Sequence, residues 1–182
     1  ILAMNGYDFV IIDCEHAQTD SETAVNMFRA CEMYGMAPMV RVYNPYDGPM
    51  MSRLLDVGAH GIMVPLVNDG AQAKNIVDST KYAPVGRRGA NGGRGPRWGA
   101  YDDYVKVCND NTLTFVQCES IEGVNNIEEI AALPGVDGVF IGTGDLSLEM
   151  GIKFKADSSS NHTVDSPEMV AAIDKILQAC LK

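Results

Sequence analysis

The stretch FVIIDCEH runs four apolar residues, Phe9 to Ile12, straight into Asp13, Glu15 and His16 with no turn residue between. Carboxylates beside an imidazole can pair with a cation or move a proton near neutral pH. The placement recurs along the chain. Arg41 closes the apolar run MVRV, Gln117 and Glu119 close TFVQCES, and Asp145 follows GVFIG. Ionisable groups at the ends of apolar runs either cap helices and pair with one another at a solvated rim, or they converge on a ligand.

The elements that must position them follow from periodicity. SETAVNMFRACEMYG puts Ala24, Met27, Phe28, Cys31 and Tyr34 on one helical face, with Asp20 or Ser21 as cap and Gly35 as stop. A short helix through Met51, Leu54 and Leu55 ends at Gly58, and GIMVPLV leads into the helix AQAKNIVDST. A stretch rich in Gly, Arg and Pro, from Pro84 to Gly99, precedes a helix from Tyr101 to Cys108. VNNIEEIAAL reads as a helix before the last strand, and polar residues from Lys155 to Ser166 precede a closing helix from Pro167.

Strands alternating with helices imply an α/β fold whose parallel sheet is covered on both faces, so its strands read as continuous apolar runs. Five such units make either an open doubly wound sheet or most of a TIM-type (β/α)8 barrel. No G-x-G-x-x-G turn follows the first strand, so the dinucleotide-binding version loses support. In a barrel all the strand ends open on one face, with neighbouring strands about 4.8 Å apart, and groups distant in sequence meet there.

Composition narrows the function classes. A chain of 182 residues with 46% hydrophobic content can bury the core of one domain. A formal net charge of -10 without an acidic block argues against nucleic acid or an anionic membrane as partner. No apolar run reaches the length of a membrane span, so a soluble, cytoplasmic protein is expected. The five cysteines are widely spaced and form no C-x-x-C pair, which reads as reduced, mostly buried thiols. GRRGANGGRGPRWG is basic, but it is short and carries Trp98 as its one aromatic residue, unlike an RNA-binding segment.

In order along the chain, IIDCEHAQTD, MVRVYNPYD, RLLDVGAHGIMVPLV, YAPVGRRG, FVQCES and VDGVFIGTGDLSLEMG resemble the successive motifs of the HpcH/HpaI aldolases. These are metal-dependent pyruvate aldolases that cleave 2-keto-3-deoxy acids. The resemblance runs from about Tyr7 to Gly151 and implies a barrel, a divalent metal (Mg²⁺ or Mn²⁺, with Co²⁺ also accommodated) and a homo-oligomer, commonly a hexamer. It makes Glu119 and Asp145 the metal ligands, and Gln117 with the amides of Gly144 and Asp145 the substrate contacts. It makes His16 the base, Asp56 the carboxylate that raises its basicity, and Arg41 the cation facing the enolate. His60 and His162 have no comparable setting. Asp13 and Glu15 read as organisers of the site, either one a partner for Arg41.

The resemblance implies reversible retro-aldol cleavage of a 4-hydroxy-2-keto acid to pyruvate and an aldehyde, with oxaloacetate decarboxylation on the same machinery, or a non-catalytic relative, as alternatives. The family often has Pro-Ala or Pro-Asn where this chain has Thr143 and Gly144. The Gly and Arg stretch is expected either to help recognise the acidic aldehyde half or to be a purely structural loop. An eight-unit barrel takes about 250 residues. The motifs align with its second to sixth strands, so residues 1–182 are expected to form a single partial barrel domain lacking the first and last strand-helix units. Its unpaired edges would leave an isolated monomer unstable.

Overall fold

A computed structural model of the chain describes residues 1–152 and 165–182. His162 and most of the polar segment before the closing helix lie outside the described residues. Five strands, β1 (Phe9–Asp13), β2 (Ala37–Arg41), β3 (Gly61–Val64), β4 (Leu113–Cys118) and β5 (Gly138–Ile141), form one sheet. All neighbours are parallel, in the spatial order β1-β2-β3-β4-β5. A doubly wound sheet reverses its direction of growth at a switch point. Here each new strand joins the same edge, as in a TIM-type barrel. The barrel is not closed.

Helices follow the strands: α1 (Ser21–Glu32), α2 (Gly48–Asp56), α3 (Gly70–Thr80), α4 (Tyr104–Asn111), α5 (Ile121–Asn125), α6 (Ile127–Ala131), α7 (Thr143–Glu149) and α8 (Pro167–Cys180). Short polar side chains start most of them. Asp20, Asp47, Asp69, Ser120 and Ser166 each accept a hydrogen bond from an otherwise orphaned amide of the first turn. Gly35 and Gly58 take the left-handed conformation just beyond α1 and α2, at φ 69° and 114°.

Several local expectations shift. Met27 and Tyr34 are exposed, so the buried stripe of α1 is narrower, made of Ala24, Phe28 and Cys31. VNNIEEIAAL breaks at Asn126 into α5 and α6. The helix expected from Tyr101 begins at Tyr104, after a 3-10 turn at Arg97–Gly99. Residues after GVFIG enter α7 directly. No helix among the described residues is long and apolar enough to cross a membrane.

The two faces of the sheet are unequal. Residues in register share a face. Ile12, Val40 and Ile62 line up on the side that α1, α2, α3 and α8 cover, and with Phe28, Met51, Leu54, Ile76 and Ile176 they make the main core. Asp13, Arg41, Met63 and Phe115 line up on the other side, the barrel interior. There Phe9 and Phe140 on the edge strands are 54% and 46% exposed.

Candidate active site

Asp13 builds the turn that carries the first cluster. Its Oδ1 accepts the amides of Glu15 at 3.0 Å and His16 at 3.4 Å, folding the chain back over the end of β1. The β1/β2 register sets Asp13 beside Arg41. Arg41 donates through Nε to Asp13 Oδ1 at 2.9 Å and through Nη2 to Asp13 Oδ2 at 2.6 Å. This bidentate bond to the guanidinium holds the Asp13 carboxyl below its usual range and raises that of Arg41. Nη1 of Arg41 lies 3.0 Å from Glu15 Oε2, close enough for attraction but not aligned as a hydrogen bond. Glu15 Oε2 is also 3.6 Å from Nε2 of His16, whose side chain is 66% exposed.

Strand alternation puts Gln117 and Glu119 on the interior side at the end of β4, both buried. Glu119 Oε1 accepts the Leu66 amide at 2.8 Å, and Oε2 meets Gln117 Nε2. Gly142 leaves the room for this carboxylate: a Cβ on Gly142 would come within 2.5 Å of Glu119 Cβ. Burial raises the Glu119 carboxyl, and the nearby charges of Glu15 and Asp145 push it in the same direction. Glu15 is raised too, by burial first, against the pull of Arg41. The buried oxygen Oε1 of Gln117 has no hydrogen-bond partner among the described residues.

Asp145 lies in the first turn of α7, exposed. The first amide of α7 that bonds within the helix is that of Leu146, to Gly142 O at 3.2 Å. The amides of Thr143, Gly144 and Asp145 are those that a helix start leaves without an intrahelical acceptor. A Cβ on Gly144 would touch nothing within 4 Å, so packing does not demand glycine there.

Asp13, Glu15, His16, Arg41, Gln117, Glu119 and Asp145 therefore share the carboxyl end of the sheet, and Arg41 feels the charge of Glu119 directly. Glu15, Glu119 and Asp145 are carboxylates there that act on one another electrostatically. Among the described residues no three His, Cys, Asp or Glu side chains form a metal-holding group on their own.

The geometry matches a wider set of proteins. The family model described as HpcH/HpaI aldolase/citrate lyase matches residues 1–182. The chain belongs to the HpcH/HpaI family. It is 43% identical over 153 residues to the hydroxypyruvate/pyruvate aldolase of Chromohalobacter salexigens, a match covering 83% of this chain and 60% of that protein. It is 37% identical over 155 residues to the 2-keto-3-deoxy-L-rhamnonate aldolase of Escherichia coli K12, covering 83% of this chain and 57% of that one. The chain thus spans less than two thirds of the length of these relatives. The solved HpcH/HpaI aldolase/citrate lyase family protein of Burkholderia cenocepacia superposes with a TM-score of 0.85 at 34% identity, over 98% of this chain and 68% of that one.

Two expectations drawn from the HpcH/HpaI resemblance meet a different geometry within one chain. Asp56 ends α2 and so lies at the amino end of the sheet, opposite His16. There it accepts from Arg88 Nη2 at 2.7 Å and from Asn91 Nδ2. The Gly and Arg stretch packs at that same end. Arg94 bonds Val57 O and Glu32, Gly95 donates to Asp56 O, and Arg88 is buried over the Tyr82 ring. In this chain the stretch contacts none of the carboxylates at the other end. Sequence reasoning also missed Leu66. The signal was Pro65, which fixes the backbone just where the chain leaves β3.

Proposed function

We propose that this chain carries the chemistry of a class II pyruvate aldolase, reversibly splitting a 4-hydroxy-2-keto or 2-keto-3-deoxy acid into pyruvate and an aldehyde. The observation that carries this reading is the cluster of mutually repelling carboxylates, Glu15, Glu119 and Asp145, gathered around one arginine at the carboxyl end of the sheet. Such a cluster is costly unless a cation joins it. Its donors are all hard oxygens, and two carboxylates leave positions for water and a chelating keto acid, which fits Mg²⁺ or Mn²⁺ held by Glu119 and Asp145. The bound ion would supply Lewis-acid stabilisation of negative charge on the keto oxygen.

The protein groups do the rest. The amides of Gly144 and Asp145, with Gln117, receive the substrate carboxylate and fix the keto acid in the plane of the site. His16, exposed toward the mouth, takes the proton of the 4-hydroxyl, directly or through one water. As that proton leaves, the C3–C4 electron pair passes into the pyruvate unit, and the 4-carbon departs as an aldehyde. Arg41, held by Asp13, lends its positive charge to the negative charge that develops. Return of the proton to C3 completes pyruvate. For Asp56 to act behind His16, a second protomer must present it, because within one chain it faces the other end of the sheet. A homo-oligomer is therefore part of the proposal, as is a cytoplasmic location.

The test is pyruvate release from a panel of 4-hydroxy-2-keto acids, with and without Mn²⁺ or Mg²⁺, comparing the chain with Glu119→Ala and His16→Ala. Metal-dependent turnover lost in both variants is the expected result. Turnover that ignores either substitution, or a folded chain that neither binds Mn²⁺ nor turns over, would overturn the reading.

A further inference from the structure

Leu66 stands in a conformation that its surroundings do not reward in the ordinary way. It follows Pro65 at the carboxyl end of β3 with φ 54°, in the left-handed region, where a Cβ crowds the backbone. Leu66 is 44% exposed, so burial of its side chain does not account for the strained backbone. The unusual backbone points the Leu66 amide at Glu119 Oε1, 2.8 Å away, and the next amide, Val67, at Gln117 O, 3.2 Å away. Two consecutive N–H groups thus grip the end of β4 at the residues that matter there. Glu119 Oε2 has Gln117 Nε2 on one side and packs against Gly142 on the other, where an added Cβ would collide with it. The Leu66 amide is the one backbone bond to this carboxylate among the described residues, and it holds Oε1 while Gln117 holds Oε2. Strained residues persist where the surrounding structure over-determines them, and that happens at functional sites.

We infer that Leu66 is a positioning residue for the cation site: its left-handed turn aims one amide at Glu119 and so fixes the rotation of the carboxylate that holds the metal. The inference rests on the proposed reading of Glu119 as a ligand. It assigns the work to the backbone of Leu66, so what matters at position 66 is tolerance of positive φ and not apolar bulk. Glycine adopts this conformation freely, and asparagine adopts it more readily than other residues with a side chain. Valine, branched at Cβ, is a severe outlier there.

The experiment is calorimetric titration of the full chain with Mn²⁺ alone, with melting temperatures measured alongside, for Leu66→Gly, Leu66→Asn, Leu66→Val and Glu119→Ala. The expected result is Mn²⁺ affinity close to the parent in the Gly and Asn variants. In Leu66→Val it falls about tenfold or more, the usual loss when a group that orients a metal ligand is removed. Glu119→Ala abolishes binding. If Gly and Asn lose as much affinity as Val, the side chain does the work and the inference falls. It falls equally if Val lowers the melting temperature but leaves the affinity unchanged, since the role would then be structural. If Glu119→Ala itself binds Mn²⁺ normally, the ligand assignment fails and takes this inference with it. If Glu119→Ala alone loses binding, only the role of Leu66 is overturned.

Discussion

The two ends of the sheet use the same residue types to opposite effect. At the amino end, charges are matched. Lys81, buried, donates to Asn109 O at 3.0 Å, Thr112 O at 2.5 Å and Asp137 Oδ2 at 2.8 Å, and Asp137 in turn accepts the Thr114 amide at 2.7 Å. Arg88, its side chain fully buried, meets Asp56 at 2.7 Å. At the carboxyl end, Asp13 already occupies Nε and Nη2 of the Arg41 guanidinium, and the remaining nitrogen, Nη1, lies 3.0 Å from Glu15. The unpartnered buried atoms tell the same story. Among the described residues they are Arg88 Nε, a donor, and the Tyr82 hydroxyl, donor and acceptor, at the amino end, and two pure acceptors, Glu15 Oε2 and Gln117 Oε1, at the carboxyl end. One end pairs its buried charges within the fold, whereas the other gathers carboxylates that raise one another's pKa.

Substitutions at the two ends should therefore separate stability from function. The largest effect on folding belongs to Lys81→Met, which leaves the carbonyls and Asp137 without their buried cation. It should cost about 3–5 kcal/mol in urea denaturation, with turnover per folded molecule unchanged. A loss under about 1 kcal/mol would mean that the amino-end network is a solvated surface feature.

Glu119→Gln should do the reverse. Turnover falls by roughly 10²–10³, the range for removing one placed charge-stabilising group. The melting temperature of the metal-free protein at pH 7 does not fall. The sign follows from the raised carboxyl. A glutamate whose folded pKa lies above its ordinary value of 4.5 favours the folded state only while protonated. Its contribution is fully present below about pH 4.5 and is lost as pH rises through the raised value. Metal-free parent protein should therefore lose stability across that window, and Glu119→Gln should flatten the slope, as melting curves taken at successive pH values will register. A steeper slope in the variant would place the unmet charge elsewhere.

The smallest effect is expected at Gly144. With open space around its missing Cβ, Gly144→Ala should change stability by less than about 0.5 kcal/mol and leave KM for the keto acid within a factor of about two. A large rise in KM would show that the approach to the Gly144 amide is tighter than its packing indicates.

Much of the carboxyl-end cluster was legible in the sequence because strand geometry is local. A period of two carries Gln117 and Glu119 to one side of β4 whatever the rest of the chain does. An apolar run that ends in Asp13 announces a strand leaving the core. Asp20 marked a helix start for the same short-range reason, bonding an amide three residues on. Where local pattern competed with packing it misled. Met27 and Tyr34 fit the helical stripe of α1 but lie beyond the arc that the sheet covers.

The sequence by itself determined the alternation of strand and helix, the positions of the strand ends, and the chemistry gathered at each. Only the tertiary structure decided which ends meet. Strand order and register brought Arg41 onto Asp13, put the Leu66 amide on Glu119, and carried Asp56 and the Gly and Arg stretch to the far end of the sheet. The physical reason is range. Periodicity, caps and turns act over a few residues, while the partner of a buried charge is fixed by contacts that span 28 residues for Arg41 with Asp13 and 53 for Leu66 with Glu119.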